Sequence, residues 1–178
     1  MIQRSGPVSV AFMAVILAVG VSPDAGAERA PNAAQEHVHA APVSQKSVAP
    51  MKAHTGPLPA LPRVVFEPPR PMAVIQQVYA FAARHPEVLQ YVPCYCGCER
   101  VGHNGNHDCF IRSRAASGRV SEWDTHGIGC TICIDVARDA MTMFNAGATP
   151  VAIRGAIDKK YGSRFPSSTP TPPPPAKR

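Results

Sequence analysis

Apolar residues mark out three helices between residues 71 and 162 of this chain. Val74, Ile75, Val78, Phe81 and Ala82 recur every three or four positions, which is one face of a helix. Pro71 suits its first position, where a missing N–H is unpaired anyway. Pro86 predicts a stop near Arg84-His85 and a short turn over Glu87 to Leu89. The second helix runs from Thr131 to Ala146, with Ile132, Val136, Ala140 and Met143 as its stripe and Cys133, Ala137 and Phe144 beside it. Gly147 is a natural left-handed end. Thr149 then caps a third helix, Pro150 opens it, and Ile153, Ile157 and Tyr161 repeat every four residues up to Gly162. Residues 93–129 follow neither period and hold six glycines. The expected fold is therefore mainly α: a small three-helix domain over 71–165 with an irregular cysteine-rich loop layer. That layer is held by cross-links and not by packing, and Trp123 is expected to cap the small core or the site.

The flanks read differently. Arg4, the apolar stretch Pro7–Val21 and Ala25-Gly26-Ala27 have the form of a signal peptide, residues 1–27, cleaved after Ala27. Its apolar run is short of the roughly 20 residues a membrane span needs. No twin arginine is present, so passage is expected by the general secretory route, with the chain unfolded. The expected localisation is exported, periplasmic or extracellular, with no stable membrane insertion after signal cleavage. Residues 28–70 are rich in Ala, Pro, Val and Ser without a period, which reads as a disordered linker. Its His37, His39, Met51 and His54 read as scattered polar residues, with a weak metal-gathering arm as the sharper alternative. Residues 166–178, with Thr169-Pro170-Thr171-Pro172 and further prolines, read as a disordered proline-rich tail.

Composition changes this picture in two places. Aromatics are 6% of the chain, so the core must be small and aliphatic. The net charge of +6 raises the question of nucleic acid. Within 71–165, however, ten Lys/Arg face eight Asp/Glu, without a run of like charge or a basic stripe interleaved with aromatics. A nucleic-acid partner is not expected.

All six cysteines lie within residues 94–133. In Cys94-x-Cys96-x-Cys98, alternate side chains of an extended strand share a face, each about 6–7 Å from the next. A turn at Gly97 would bring Cys96 and Cys98 together. A disulfide between such near neighbours would be strained. Cys130-x-x-Cys133 has the spacing of zinc sites and of thiol oxidoreductases, and a predicted helix start favours thiolate there. His126 sits four residues before it, as a further ligand or proton-transfer partner. Cys109, His103 and His107 occupy the loop between. His85 reads as a helix-end residue, and Met141 and Met143 as core filler, with Met141 a remote candidate for an outer ligand.

Three readings follow. In the first, Cys94, Cys96, Cys98, Cys130 and Cys133, then Cys109, His103 and His126, hold a soft metal. Copper(I) comes first and zinc second; unfolded export argues against a preassembled iron–sulfur cluster. The protein would then buffer, carry or deliver its ion to a metal-receiving partner, without being an enzyme. In the second, three disulfides staple the domain, and six cysteines allow 15 pairings. In the third, Cys130 and Cys133 exchange thiols and disulfides, although no strand or βαβ pattern surrounds them. A c-type haem is disfavoured because Ile134 stands where the axial histidine would follow the pair.

Pro93-Cys94-Tyr95-Cys96-Gly97-Cys98, with Gly102-His103, Asp108-Cys109-Phe110, Trp123, His126-Gly127, Cys130-x-x-Cys133-x-Asp135, Ile153-Arg154, Ile157-Asp158 and Tyr161-Gly162, resembles the bacterial family named for its PCYCGC motif, over about residues 72–165. The resemblance implies export and a cysteine cluster acting as one unit, and no particular reaction. Many members are lipoproteins; this chain lacks a lipidation cysteine, so a membrane tether is not implied.

Overall fold

A computed structural model describes residues 49–175. The expected signal peptide and the linker histidines His37 and His39 fall outside them. Seven regular elements follow one another: α1 (Met72–Arg84), α2 (Pro86–Leu89), β1 (Ile111–Arg114), β2 (Val120–Trp123), α3 (His126–Gly129), α4 (Thr131–Asn145) and α5 (Pro150–Tyr161). Two 3-10 turns, Cys98–Val101 and Asn106–Cys109, lie between α2 and β1.

The three long helices fall where apolar spacing puts them. Pro71 stands as the cap before α1, one position earlier than expected. Thr149 accepts from the Ala152 N–H and opens α5. Gly147 leaves α4 with a φ of 86°, a left-handed turn that a side chain would strain. Helix α4 packs against both α1 and α5. Ile75, Val78, Ile134, Val136, Ala137, Ala140, Ile153 and Ile157 meet there without exposure. Each large aliphatic side chain buried so fully contributes about 1.5–3 kcal/mol. Met141 and Met143 are partly buried against this core, as filler. His85 ends α1, bonded to Glu87 and set against Phe81 and Phe144.

The domain is helical with a small sheet, and the sheet was not expected. β1 and β2 form an antiparallel hairpin pairing Ile111 with Trp123, Ser113 with Glu122 and Arg114 with Val120. The register slips twice within four residues, so no alternating pattern survives in the sequence. Trp123 caps the core, edge-on to Tyr79 at 5.4 Å, and Phe110 meets the same ring at 5.1 Å. The Tyr79 hydroxyl donates to the Asp124 carbonyl at 2.6 Å.

The reading of both flanks as disordered needs correction for their described parts. Residues 49–70 lack regular structure but form a strap against the domain. His54 is 4% exposed; its N–H donates to the Ala83 carbonyl, and its ring joins the Pro57 carbonyl to the Val120 N–H. Leu58, Leu61 and Val64 pack on the core, Trp123 Nε1 donates to the Pro59 carbonyl, and Arg70 forks onto Asp135 of α4 at 2.6 and 3.1 Å. The proline tail docks as well: Arg154 Nη1 donates to the carbonyls of Thr171 and Pro172. Prolines lower the entropy a chain loses on ordering, so few anchors suffice to hold such a segment.

Candidate metal centre

Four pieces of chain deliver the site. Gly97 has a φ of 81°, and the turn it makes folds the Cys94–Cys98 stretch back on itself. The second 3-10 turn supplies Cys109. Helix α3 carries His126 at its start, Cys130 caps α4, and Cys133 lies in the first turn of α4. Gly127 permits the approach of α3, because a Cβ there would stand 2.5 Å from the Phe110 ring and 2.6 Å from the Cys109 carbonyl.

The sulfurs of the alternating triad and of the helix-start pair do meet. Cys94 Sγ lies 3.3 Å from Cys96, 3.4 Å from Cys133 and 3.5 Å from Cys109. Cys133 lies 3.3 Å from Cys109 and 3.5 Å from Cys96, and Cys98 lies 3.8 Å from Cys109. His126 Nε2 approaches Cys96 Sγ at 3.3 Å. Cys130 Sγ accepts from the Cys133 N–H at the head of α4. Four groups of donors lie mutually within 4.8 Å: Cys96, His126, Cys130 and Cys133; Cys94, Cys109 and Cys133; Cys94, Cys96 and Cys98; Cys98, Cys109 and His126.

None of the six cysteines is in a disulfide. The spacings exceed a covalent S–S bond of about 2.05 Å and fall at or inside the edge, about 3.8 Å, of a tetrahedron of thiolates around one zinc. Cys94, Cys109 and Cys133 each touch three sulfurs or more at nearly one distance. A disulfide joins each sulfur to a single partner; bridging around ions gives it several.

Negative charge collects unevenly. Hydrogen bonds from Cys109 and Cys133 draw Cys94 down to about 4. Cys96 is also held well below the usual thiol range, with Cys109 and Cys130 its leading donors. Cys109 is pushed up by its bonds to Cys133 and Cys94. At Cys98 and Cys133 a bond from Cys109 pulls down, and the competing bonds to their other sulfur neighbours outweigh it, so both thiols hold their protons. His126 rises to about 10 through its bonds to Cys130 and Cys96. A bound cation would take over the stabilising part played by these protons and release them.

The other two loop histidines stand aside from the donor groups. His103 packs edge-on to His126 at 5.2 Å and lies 3.7 Å from Asp124. Asp124 accepts from the His126 N–H at 2.8 Å, so the His103–Asp124 pair backs the site without entering it. His107 faces away, between Asp108 and the Arg114 guanidinium. The sequence reading missed the outer support. Thr169 Oγ1 accepts from the Cys94 N–H at 2.8 Å, the Thr169 N–H donates to the Cys94 carbonyl at 2.9 Å, and Asn106 Nδ2 donates to the Cys133 carbonyl at 3.2 Å. Two threonines interrupting a proline run were the available signal.

Fold and site together define a small, largely helical protein built around a cysteine/histidine cluster. The chain belongs to the family described as protein of unknown function with PCYCGC motif, whose model matches residues 10–174. That match reaches beyond the 72–165 expected from motifs alone and takes in both the strap and the docked tail. No curated protein and no solved structure matches the chain.

Proposed function

We propose that this is an exported soft-metal protein that holds copper(I), or zinc, in its cysteine/histidine cluster outside the cytoplasm, to buffer the ion or deliver it to a receiving protein. It acts by binding, not by catalysis. The observation that carries this reading is the convergence of six sulfurs and one imidazole from four separate segments, with several sulfurs each touching three others. Soft thiolates in such excess favour copper(I), which shares bridging thiolates readily; zinc is satisfied by four donors. Export is inferred from the form of residues 1–27. Among the described residues no helix is long and apolar enough to cross a membrane.

The test is mass spectrometry of protein purified from its native compartment, with and without alkylation, beside elemental analysis. Six alkylatable thiols together with bound copper or zinc support the reading. A mass short by six hydrogens without metal overturns it in favour of a disulfide staple. Reduction of a test disulfide that disappears in Cys130→Ser would overturn it in favour of thiol exchange.

A further inference from the structure

The donors outnumber what one ion takes. A tetrahedral ion uses four ligands, and seven residues converge. One divalent ion would leave either thiolate charge without a counter-charge in a buried site, which is costly, or several thiols pressed together with their protons. Burial divides the donors into two sets. Cys94, Cys109 and Cys133 have no exposure and Cys98 has 3%, whereas Cys96, Cys130 and His126 are half-buried. The half-buried three form, with Cys133, a complete four-donor group within 4.8 Å. In the deep set Cys94 and Cys109 are grouped with Cys133, and Cys98 joins through them, reaching Cys109 at 3.8 Å and Cys94 within 4.8 Å. Seven donors fill two tetrahedra when one of them bridges, and Cys133 is the residue grouped with donors of both sets.

Resting on the soft-metal reading, we infer that the cluster is polynuclear and asymmetric. An inner, all-sulfur subsite of Cys94, Cys98, Cys109 and Cys133 retains its ion. An outer subsite of Cys96, His126, Cys130 and Cys133 exchanges its own. Cys133 thiolate bridges the two. The inner ion is reached only by opening the loop layer, because its donors come from residues 94–109 and from inside the α4 packing. The outer ion lies against three side chains that already meet solvent, one of them an imidazole, a weaker holder of soft ions than thiolate. The exchanging ion is then the cargo, and the retained ion a structural element.

Native mass spectrometry of the full chain, loaded anaerobically with zinc alone and separately with copper(I) alone, reads the nuclearity. A chase with a competing chelator reads the asymmetry. About two zinc ions per chain are expected, and at least as many copper ions. One should leave in a fast phase and the next about tenfold more slowly or slower still, as opening of a packed layer requires. His126→Asn and Cys130→Ser should each abolish the fast phase and keep the slow ion. Since both positions are half-exposed, these variants test the split without dismantling the core. One ion per chain, or two ions leaving in one phase, overturns this inference and leaves the soft-metal reading standing. No ion of either kind overturns the soft-metal reading itself.

Discussion

Helices α1, α4 and α5 and the loop layer over 93–130 lie against each other but are held by different forces. In the helices, Ile75, Ile134, Val136, Ile153 and Ile157 are fully buried, and backbone groups inside each helix find their partners a turn away. In the loop layer, the only sheet is a hairpin of four-residue strands with a slipping register. Its backbone is completed from outside, where His54 of the strap accepts from the Val120 N–H and Thr169 of the tail from the Cys94 N–H, and the Trp123 indole donates to the strap's Pro59 carbonyl. Phe110, Ile111, Trp123 and Ile128 carry the layer into the same core, and the sulfur cluster lies among them. The contrast teaches that the helices stand on apolar burial with local backbone bonding, whereas the site layer adds to its apolar contacts a sulfur cluster and bonds from two segments that carry no secondary structure.

The largest effect should come from removing metal, since binding energy at structural thiolate sites, about 10–16 kcal/mol for zinc, is also folding energy. Stripping the ions should abolish hydrogen-exchange protection over 93–130 while far-ultraviolet circular dichroism keeps the helical signal. Helices that melt in step with the layer would break the comparison. Next, Ile134→Ala should lower unfolding free energy by about 2–5 kcal/mol through the cavity it leaves. Measured by urea titration, the loss should be alike in stripped and loaded protein if the scaffold is independent of the site.

Arg114 is where the layers and the strap lock together. Its guanidinium donates to the carbonyls of Ala82 and Ala83 at the end of α1, to Gly118 in the hairpin turn and to Lys52 in the strap. Arg114→Met should cost about 1.5–3 kcal/mol, the usual worth of bonds to a charged group, and raise exchange at His54 before it touches α4. Thr169→Val removes the hydroxyl's bonds to the Cys94 N–H and to Thr171 Oγ1, about 0.5–1.5 kcal/mol each, and should appear as faster exchange at the Cys94 amide.

The smallest effect concerns acid. Burial pushes His107 below its usual value; its Nδ1 faces Asp108, and its Nε2 accepts from Arg114. A proton on Nε2 would confront the guanidinium. The stabilisation is therefore complete above about pH 6.5, the unfolded value, and fades as pH falls toward the lower folded value. His107→Gln should flatten that slope in thermal melts taken between pH 7 and 5.

Much of the helical scaffold is written locally. The stripes Val78–Phe81–Ala82 and Ile153–Ile157–Tyr161, the Thr149 cap and Gly147 act over one turn, and each sits in the structure at or next to its expected place. Gly97 is of the same kind: it predicted the turn that gathers the triad. The hairpin was not legible, because Arg112, Ser113, Ser121 and Glu122 face solvent and two register slips erase the period of two. The strap and tail were read as free because apolar content alone was counted. Their anchoring comes from single bonds to distant carbonyls and amides, which no composition reveals.

The sequence by itself determined the short window that holds the candidate donors, six cysteines with His103, His107 and His126, and where three helices begin and end, since both are matters of local spacing. Only the tertiary structure decided which thiols are deep and which are shallow, that His126 joins them while His103 and His107 do not, and that Thr169 of the tail bonds the Cys94 backbone. Burial and contact depend on pieces of chain tens of residues apart arriving at one point, and no short-range pattern encodes that arrival.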